Sequence, residues 1–332
     1  MAALGATALT MTDWAKRLDP NGSVPTIVEL LNETNGLLDD ALFLEGNLPT
    51  GHRTTVRTGL PTVYWRQINQ GVLPSKSTTA QVDEQCGMLE AWSEVDVELL
   101  ALNGNSAAFR LSEAKAFIEG MNQEMSYTFV YGNGGTDPEE FSGLSVRYSD
   151  LSATNAQNII DAAGTQNGDQ TSIWLVGWGS ETVHGIFPKG SSAGLSHKDF
   201  GEETVEVTAG IAGSRMRAMR EKFMWKAGLV VKDWRYVVRI CNIDVSDLAG
   251  GSPPDLIEAL ENAVELLPSS LGRPVLYANR TVRRFLRKQV REGVSAGGGL
   301  NFDNFGGKKI LMFGDVPIRT LDTILNTEDR VV

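Results

Sequence analysis

The feature of the sequence that most limits its fold is a stretch without an apolar face, within residues 54–100. On a strand, the side chains of residues 63–70 would point alternately to two faces, but neither face would be cleanly apolar. One face would carry Val63, Trp65, Gln67 and Asn69, and the other Tyr64, Arg66, Ile68 and Gln70. Residues 69–79 are rich in turn formers, and residues 79–100 can return as a second strand or as a strand followed by a helix. Because a two-stranded excursion is barely stable alone in water, we expect a partner surface to order it.

The N-terminal segment also lacks the pattern of a compact domain. Prolines and Asn-Gly pairs interrupt residues 1–60, and one short helix is predicted across 27–38, with Ser23 or Thr26 as its cap. We interpret the segment as an arm that lies on another surface, which a neighbouring chain could provide.

A long helix is predicted over residues 106–131. Its apolar residues recur at intervals of four and form one stripe, namely Phe117, Met121, Met125 and Phe129, with Ala114 and Ile118 beside them. Asn105 or Ser106 can cap its start, and Gly132 with Asn133 stops it. We expect this helix to lie across a sheet.

Residues 173–178 and 229–245 are predicted strands, and the second is expected to be half-buried along its whole length. The last third of the chain predicts a compact α+β domain that begins with a helix. Ser252 and Asp255 match a capping pattern, with Pro253 at the first helical position. The later elements are a strand, a helix with Val282, Phe285, Leu286 and Val290 inward, and two strands joined at Gly314–Asp315.

The charge is unevenly distributed. The 30 basic and 41 acidic residues give a net charge of −11, which argues against a nucleic-acid binder that is basic over its whole surface. Two stretches reverse the balance, since 215–239 holds eight Lys or Arg against two acids, and 273–291 holds seven with none. This distribution suits head-to-tail self-association as well as contact with a polyanion.

The two cysteines and the first residues indicate the compartment. Cys86 and Cys241 form no Cys-x-x-Cys motif, and two free buried thiols are favoured over a disulfide between them. Residues 1–14 are apolar but lack a basic flank and are too short to span a bilayer. We therefore expect a soluble protein made in a cytosol.

One segment resembles a catalytic loop. Residues 190–194, GSSAG, match the Gly-x-Ser-x-Gly pattern, with Ser192 as the nucleophile of a serine hydrolase. That mechanism needs a strand before the serine, a helix after it and a later histidine, whereas His197 follows only five residues on. The glycines at 177 and 179 miss the phosphate-loop spacing, and His184, His197 and Asp199 match no metal-ligand spacing. The chemical interpretations are all disfavoured.

The predicted helix at 280–291 is strongly basic. The cationic residues singled out as candidate contacts are Arg280, Arg283, Arg284, Arg287 and Lys288. Three interpretations stay open: a solvated face, a contact with an acidic neighbour such as residues 202–206, and a nucleic-acid contact. No aromatic residues are interleaved as single-strand stacking would need.

Several phrases, in their order along nearly the whole chain, resemble one family. They are IVELLNETN (27–35), NLPTGHRTTVRTGLP (47–61), VYWRQINQGV (63–72), FVYGN with FSGL (129–144), GWGSETVHGIFPKGSSAGL (177–195), WRYVVRICNIDVS (234–246), LYANR (276–280) and VPIRTLDTIL (316–325). Together they resemble the major capsid proteins of tailed bacteriophages with the Hong Kong 97-type fold, in particular those of short-tailed phages of the Epsilon-15 and Bordetella phage kind.

The resemblance implies an α+β capsid fold and a division of the chain. Residues 1–53 would be the N-terminal arm, 54–104 the extended loop, 105–250 the peripheral domain with the spine helix at 106–131, and 251–332 mainly the axial domain. It implies an icosahedral head shell around double-stranded DNA rather than an enzyme, and no cofactor or metal.

The resemblance also implies partners. The chain would assemble into pentamers and hexamers in a bacterial host cytoplasm, with a portal protein, a separate scaffolding protein and room for a cement protein, and would touch packaged DNA non-specifically. No membrane contact is implied. The expected intersubunit residues are Tyr64, Trp65, Arg66, Asn69, Lys76 and Trp92. The Trp65→Ala substitution, or deletion of residues 2–40, is expected to leave a soluble subunit that does not complete shells.

Overall fold

The structure is a computed structural model that describes residues 33–101, 106–206, 215–250, 253–268, 271–291, 300–305 and 308–332. The described chain divides into two compact units. A small unit contains Met88–Met125 and Gly194–Lys226, and a large unit contains Thr34–Gly87, Ser126–Ala193 and Ala227–Val332.

The described elements are given in chain order. The α-helices are α1 (Leu37–Asp40), α2 (Val97–Ala101), α3 (Ser106–Tyr131), α4 (Leu144–Arg147), α5 (Leu256–Leu266) and α6 (Arg280–Arg291). The strands are β1 (Phe43–Glu45), β2 (Gly51–Gly59), β3 (Thr78–Gln85), β4 (Gly87–Asp96), β5 (Ile159–Asp161), β6 (Gln170–Trp178), β7 (Val183–Phe187), β8 (Leu195–Glu206), β9 (Arg215–Val231), β10 (Val237–Asp244), β11 (Arg273–Ala278), β12 (Leu300–Phe305), β13 (Lys308–Phe313) and β14 (Val316–Thr320).

The large unit is built on a mixed sheet. Its strands lie in the order β12, β13, β14, β11, β6, β10 and β5, with β11–β14 and β10–β5 parallel and the other pairs antiparallel. Helices α5 and α6 bury their apolar faces against it, through residues such as Leu260 and Leu286, which are fully buried. Strands β6 and β10 supply part of that core, so residues 251–332 do not form it alone. The division into arm, loop, peripheral and axial parts stays a prediction.

The prediction of one half-buried strand over 229–245 is wrong. Strand β9 ends at Val231, and Asp233 accepts the backbone N–H of Arg235 to cap a short 3-10 helix, Trp234–Tyr236. Strand β10 then begins at Val237 and is buried at every position. Strand β10 pairs with β6 on one edge and with β5 on the other, and both of its faces are covered. Residues on the two faces are therefore equally buried, and neither face is exposed to solvent as the half-buried prediction required.

Helix α5 begins later than predicted. Asp255 is its cap and accepts the backbone N–H groups of Ile257 and Glu258 at 3.0 and 3.2 Å. Pro253 therefore precedes the helix, because the proline at 254 disfavours a helical conformation in the residue before it. Ser252 lies outside the described residues. In α6, Val282, Phe285 and Leu286 are buried as predicted, and the side chain of Val290 is not among those described.

The long helix is confirmed at its predicted bounds. Met121, Met125 and Phe129 of α3 are buried, whereas Ile118 is exposed, so the apolar stripe is narrower than predicted. Ser106 is the first helical residue, and Asn105 lies outside the described part of the chain. The helix ends at Tyr131, and at the following residue, Gly132, an added Cβ would lie 2.5 Å from the Phe141 carbonyl oxygen.

The small unit has a core of its own. Val95 and Leu99 pack with Leu100 and Phe109, and β9 lies between β8 and β4. The acidic segment 202–206 pairs within the chain, since Glu202 and Glu203 form ion pairs with Arg217 and Arg220 of the adjacent strand. These two acids are thus already neutralised within one subunit.

Much of the N-terminal segment, residues 1–32, lies outside the described part of the chain, and with it most of the predicted arm helix. The described remainder is bound into the large unit. Leu37 is fully buried, and the buried Asp40 forms ion pairs with Arg273 at 2.5 Å and Arg319 at 3.2 Å. Removing residues up to 40 would therefore damage the fold of the subunit itself.

The segment 328–332 pairs with strands that lie much earlier in the chain. Glu328 and Gln170 exchange two backbone hydrogen bonds, of 2.9 and 3.3 Å. The Asn242 side chain donates to the Val331 carbonyl at 2.9 Å and accepts its N–H at 2.8 Å. These bonds hold the segment against β6 and β10.

The Glu328 carboxylate is the charged centre of this region. It is buried and accepts hydrogen bonds from Arg239 at 2.9 Å, from Ser172 at 2.5 Å and from the Tyr131 hydroxyl. Arg239 is equally buried and lies over the Trp174 ring. The pair ties the end of α3 to the sheet.

Both cysteines are free, as the sequence analysis favoured. Cys86 is half-buried and Cys241 is buried. Burial raises the pKa of the Cys86 thiol to about 11 and that of Cys241 to about 12, so both stay protonated near neutrality.

Candidate interaction surfaces

Strands β2 and β3 form a two-stranded antiparallel ribbon, Gly51–Gln85. Nine residues in β2 span roughly 30 Å at ~3.4 Å per residue. Nearly all side chains of both strands are exposed or half-exposed, so the ribbon has no apolar core, as predicted. The observed ribbon begins and ends earlier than the predicted loop, and β4 with α2 belongs to the small unit.

The residues between the two strands, 60–77, form a tip without regular secondary structure. The strand predicted from the alternation over 63–70 is therefore absent. The tip exposes large apolar side chains: Trp65 is 104% exposed, Ile68 90%, Val63 86%, Leu60 81% and Leu73 74%. Exposed apolar residues in one contiguous segment mark an interaction site rather than scattered surface.

Two contacts give the tip a defined shape. The Gln70 N–H donates to the Gln67 carbonyl at 3.2 Å and closes a turn in which Asn69 has a φ of +67°. Asparagine tolerates this left-handed conformation, so Asn69 has a local role besides the predicted contact. Across the tip, the Ser75 hydroxyl donates to the Thr62 carbonyl at 2.6 Å.

The root of the ribbon is held firmly in the large unit. At Gly51 an added Cβ would lie 1.9 Å from the Glu84 carbonyl oxygen, so only glycine permits this backbone approach. The buried Glu84 carboxylate accepts two hydrogen bonds of 2.6 Å from Arg147, the last residue of α4. Neither Glu84 nor Arg147 belongs to a sequence motif, so only the fold identifies this bidentate pair.

Two histidines meet beside the root. The rings of His52 and His184 lie edge to face with centroids 5.9 Å apart. Burial, followed by the charge of Lys232, lowers the pKa of His184 to about 4, and the same causes lower the pKa of His52. In the described residues, no group of three His, Cys, Asp or Glu could hold a metal ion, so the pair is interpreted as a packing contact.

Ser192 does not have the setting of a hydrolase nucleophile. It lies exposed between strands β7 and β8, in a loop where Gly190 and Gly194 have φ values of +80° and +84°. A nucleophile elbow needs a helix directly after the serine, and here a strand follows. The serine hydrolase alternative therefore loses its structural basis.

Trp92, an expected intersubunit residue, makes contacts within the small unit. Its ring stacks on Phe200 at 5.5 Å between centroids, and the Arg220 guanidinium lies 4.5 Å from it. Its indole N–H donates to Glu90 at 2.6 Å. Part of the ring remains exposed, so its contact with another subunit stays a prediction.

Helix α6 does not turn all its basic residues outward. Arg280 is exposed and forms an ion pair with Asp322 at 2.7 Å. Arg283 is half-buried and donates to the Thr320 hydroxyl, and burial lowers its pKa. Arg284 and Arg287 are exposed, while Lys288 is half-buried and lies over the Phe285 ring.

Among the residues described, no helix is both long and apolar enough to cross a membrane.

The chain is similar to one protein family and to chains in solved structures. A family model described as "Major capsid protein GP7" matches residues 19–332. A chain in a cryo-EM structure of bacteriophage Epsilon15 is 34% identical, with a TM-score of 0.78 over 100% of this chain and 99% of that one. A chain of the bacteriophage JBD30 capsid is 9% identical, with a TM-score of 0.49 over 89% and 92%. No curated protein matches.

Proposed function

The chain belongs to the major capsid protein GP7 family, and from this premise we propose that its ribbon tip is a principal contact between subunits. The protein is a major capsid protein with the Hong Kong 97-type α+β fold, and it builds the head shell of a tailed phage. Its location is the capsid of a virion.

The observation that carries the proposal is the tip's exposed apolar surface. Trp65 and its apolar neighbours would stay in water in an isolated subunit, and each fully buried large side chain contributes roughly 1.5–3 kcal/mol. A neighbouring subunit offers the missing cover. Tyr64, Arg66, Asn69 and Lys76 would then surround the apolar contact, and the exposed edge of Trp92 would make a second one.

The assembly implied by the family gives further proposals. The subunits would form pentamers and hexamers, with a portal protein, a separate scaffolding protein and, at the outer surface, a cement protein as partners. Assembly would take place in the host cytoplasm. Because many weak contacts repeat by symmetry, each needs to contribute only a little to the stability of the shell.

Substitution of Trp65 tests the role of the tip. Trp65→Ala is expected to give a folded, soluble subunit that does not complete shells, whereas Trp65→Phe keeps an aromatic anchor and assembles. Negative-stain electron microscopy distinguishes the two results. Normal particles from Trp65→Ala would contradict the proposal.

The exposed guanidinium groups of α6 support a second, weaker contact. Arg284 and Arg287 could bind phosphates of packaged DNA non-specifically, since their helix carries no acidic residue. A DNA-binding protein that acts as a free subunit is the alternative. It predicts salt-sensitive DNA binding by unassembled subunits, which the double variant Arg284→Glu/Arg287→Glu would abolish.

A further inference from the structure

An exposed Asn-Gly pair lies in the turn that leads into β6. Asn167 and Gly168 are both exposed, and Gly168 has a φ of +77°, a conformation that favours glycine. A Cβ added at Gly168 would meet no described atom within 4 Å, so the turn is open to water. Asparagine is a chemically labile residue, and a following glycine has no side chain to keep its backbone nitrogen away from the asparagine Cγ.

One hydrogen bond polarises the Asn167 side-chain amide. The Arg330 backbone N–H donates to Oδ1 of Asn167 at 3.0 Å. A donor on a carbonyl oxygen stabilises the negative charge that develops there when a nucleophile attacks the carbon. Within the described part of the chain, no group accepts the Gly168 N–H, so this nitrogen is available as the nucleophile.

Two other Asn-Gly pairs in the described residues are restrained. Asn35 is 8% exposed, and the N–H of Gly36 donates to the Thr320 carbonyl at 3.2 Å, so its nitrogen is engaged. Asn133 is half-buried, and its backbone carbonyl accepts two backbone N–H groups, at 2.9 and 3.1 Å. These bonds must break or bend before either asparagine can form a ring with the residue after it.

We infer that Asn167 is a site of spontaneous deamidation and that the isoaspartate formed there loosens segment 328–332. The Gly168 nitrogen loses its proton to solvent and attacks Cγ of Asn167. The Cγ–Nδ2 bond then breaks, and the side-chain nitrogen leaves as ammonia. Water opens the resulting cyclic imide at one of its two carbonyl carbons and yields aspartate or isoaspartate, so water is the sole co-reactant. The inference does not depend on the proposed role of the ribbon tip.

The two products differ in what they do to the backbone. Both add a negative charge, but in isoaspartate the main chain runs through the former side chain and gains a methylene group. Oδ1 then becomes a main-chain carbonyl oxygen, which displaces the acceptor of the Arg330 N–H. This change lies next to the backbone bonds between Gln170 and Glu328, so amide hydrogens of 328–332 should exchange faster with solvent.

Peptide mapping by mass spectrometry of incubated, unassembled subunits tests the modification. In the folded subunit, Asn35 and Asn133 should each deamidate at least ~10-fold more slowly than Asn167, a difference of ~1.4 kcal/mol in the barrier. In urea the three sites should react at similar rates, because each is then an unrestrained Asn-Gly pair. The rate at Asn167 should rise with pH, since the nucleophile is a deprotonated amide. A folded-state rate at Asn167 no higher than that at Asn35 would overturn the inference.

Hydrogen exchange of a peptide that spans 328–332 tests the consequence. Incubated parent protein that contains isoaspartate should lose protection there. Incubated Asn167→Gln should keep it, because glutamine must close a larger ring. Freshly prepared Asn167→Asp carries the charge without the extra methylene group and should also keep it. Full protection in the incubated parent protein, or lost protection in fresh Asn167→Asp, would show that isoaspartate does not act in this way.

Discussion

Acidification is expected to destabilise the large unit through His184. The imidazole is 1% exposed and lies beside His52 and Lys232, so its protonated form has lost water and gained positive neighbours. The Glu181 carboxylate and the backbone of Gly179 favour protonation but do not outweigh burial, and the Glu84 carboxylate acts likewise on His52. The pKa is thereby lowered from 6.5 to about 4 in the folded protein.

The sign and the size of this change in the free energy of unfolding follow from the linkage between proton binding and folding. Because the folded state binds this proton less readily than the unfolded state, the contribution of His184 is fully present above pH 6.5 and is lost as the pH falls towards 4. For these two pKa values the loss is about 2 kcal/mol at pH 5 and about 3 kcal/mol at pH 4. That is a large part of the usual stability of a domain, ~5–15 kcal/mol.

Urea unfolding of unassembled subunits at pH 7, 5 and 4 measures this loss. His184→Gln removes the titrating group, so its free energy of unfolding should fall by about 3 kcal/mol less than that of the parent protein between pH 7 and pH 4. Equal losses in the His184→Gln and parent proteins would refute the reasoning.

Three further substitutions are each expected to destabilise the subunit, and urea or thermal unfolding measures the loss. Arg239→Met should cost about 3–5 kcal/mol because it leaves the buried Glu328 carboxylate uncompensated, and adding Glu328→Leu should recover most of that loss. Gly51→Ala should loosen the ribbon root, since the new methyl group collides with the Glu84 carbonyl oxygen, and limited proteolysis should then cut the ribbon faster. Asp255→Ala should cost about 1 kcal/mol through the lost cap of α5. A cost within error of zero in any of the three would contradict its stated cause.

The sequence predicts best where a pattern is local. The i+4 repeat of methionine and phenylalanine places α3 at its observed bounds, because a helix depends on contacts within one turn. The break after Val231 depends on the Asp233 cap, and the start of α5 depends on a second proline, so both need more than periodicity. Burial on both faces of β10 arises from elements far away in the chain.

The interaction surfaces show the same difference between features set by a local pattern and features set by long-range contacts. A segment without an apolar face predicts an unsupported ribbon, and the structure confirms the ribbon and its exposed tip. The root pair of Glu84 and Arg147 joins residues 63 apart, which no spacing rule brings together.

The late position of Glu328 in the chain affects how the subunit is made. Strands β6 and β10 are synthesised long before the residues that neutralise Arg239 and pair with Gln170 and Asn242. Until the 328–332 segment pairs, Arg239 lacks its carboxylate partner and the strands that carry it are not fully packed. Completion of the large unit therefore requires residues 89 positions apart to meet, and non-local contacts of this kind form slowly during folding.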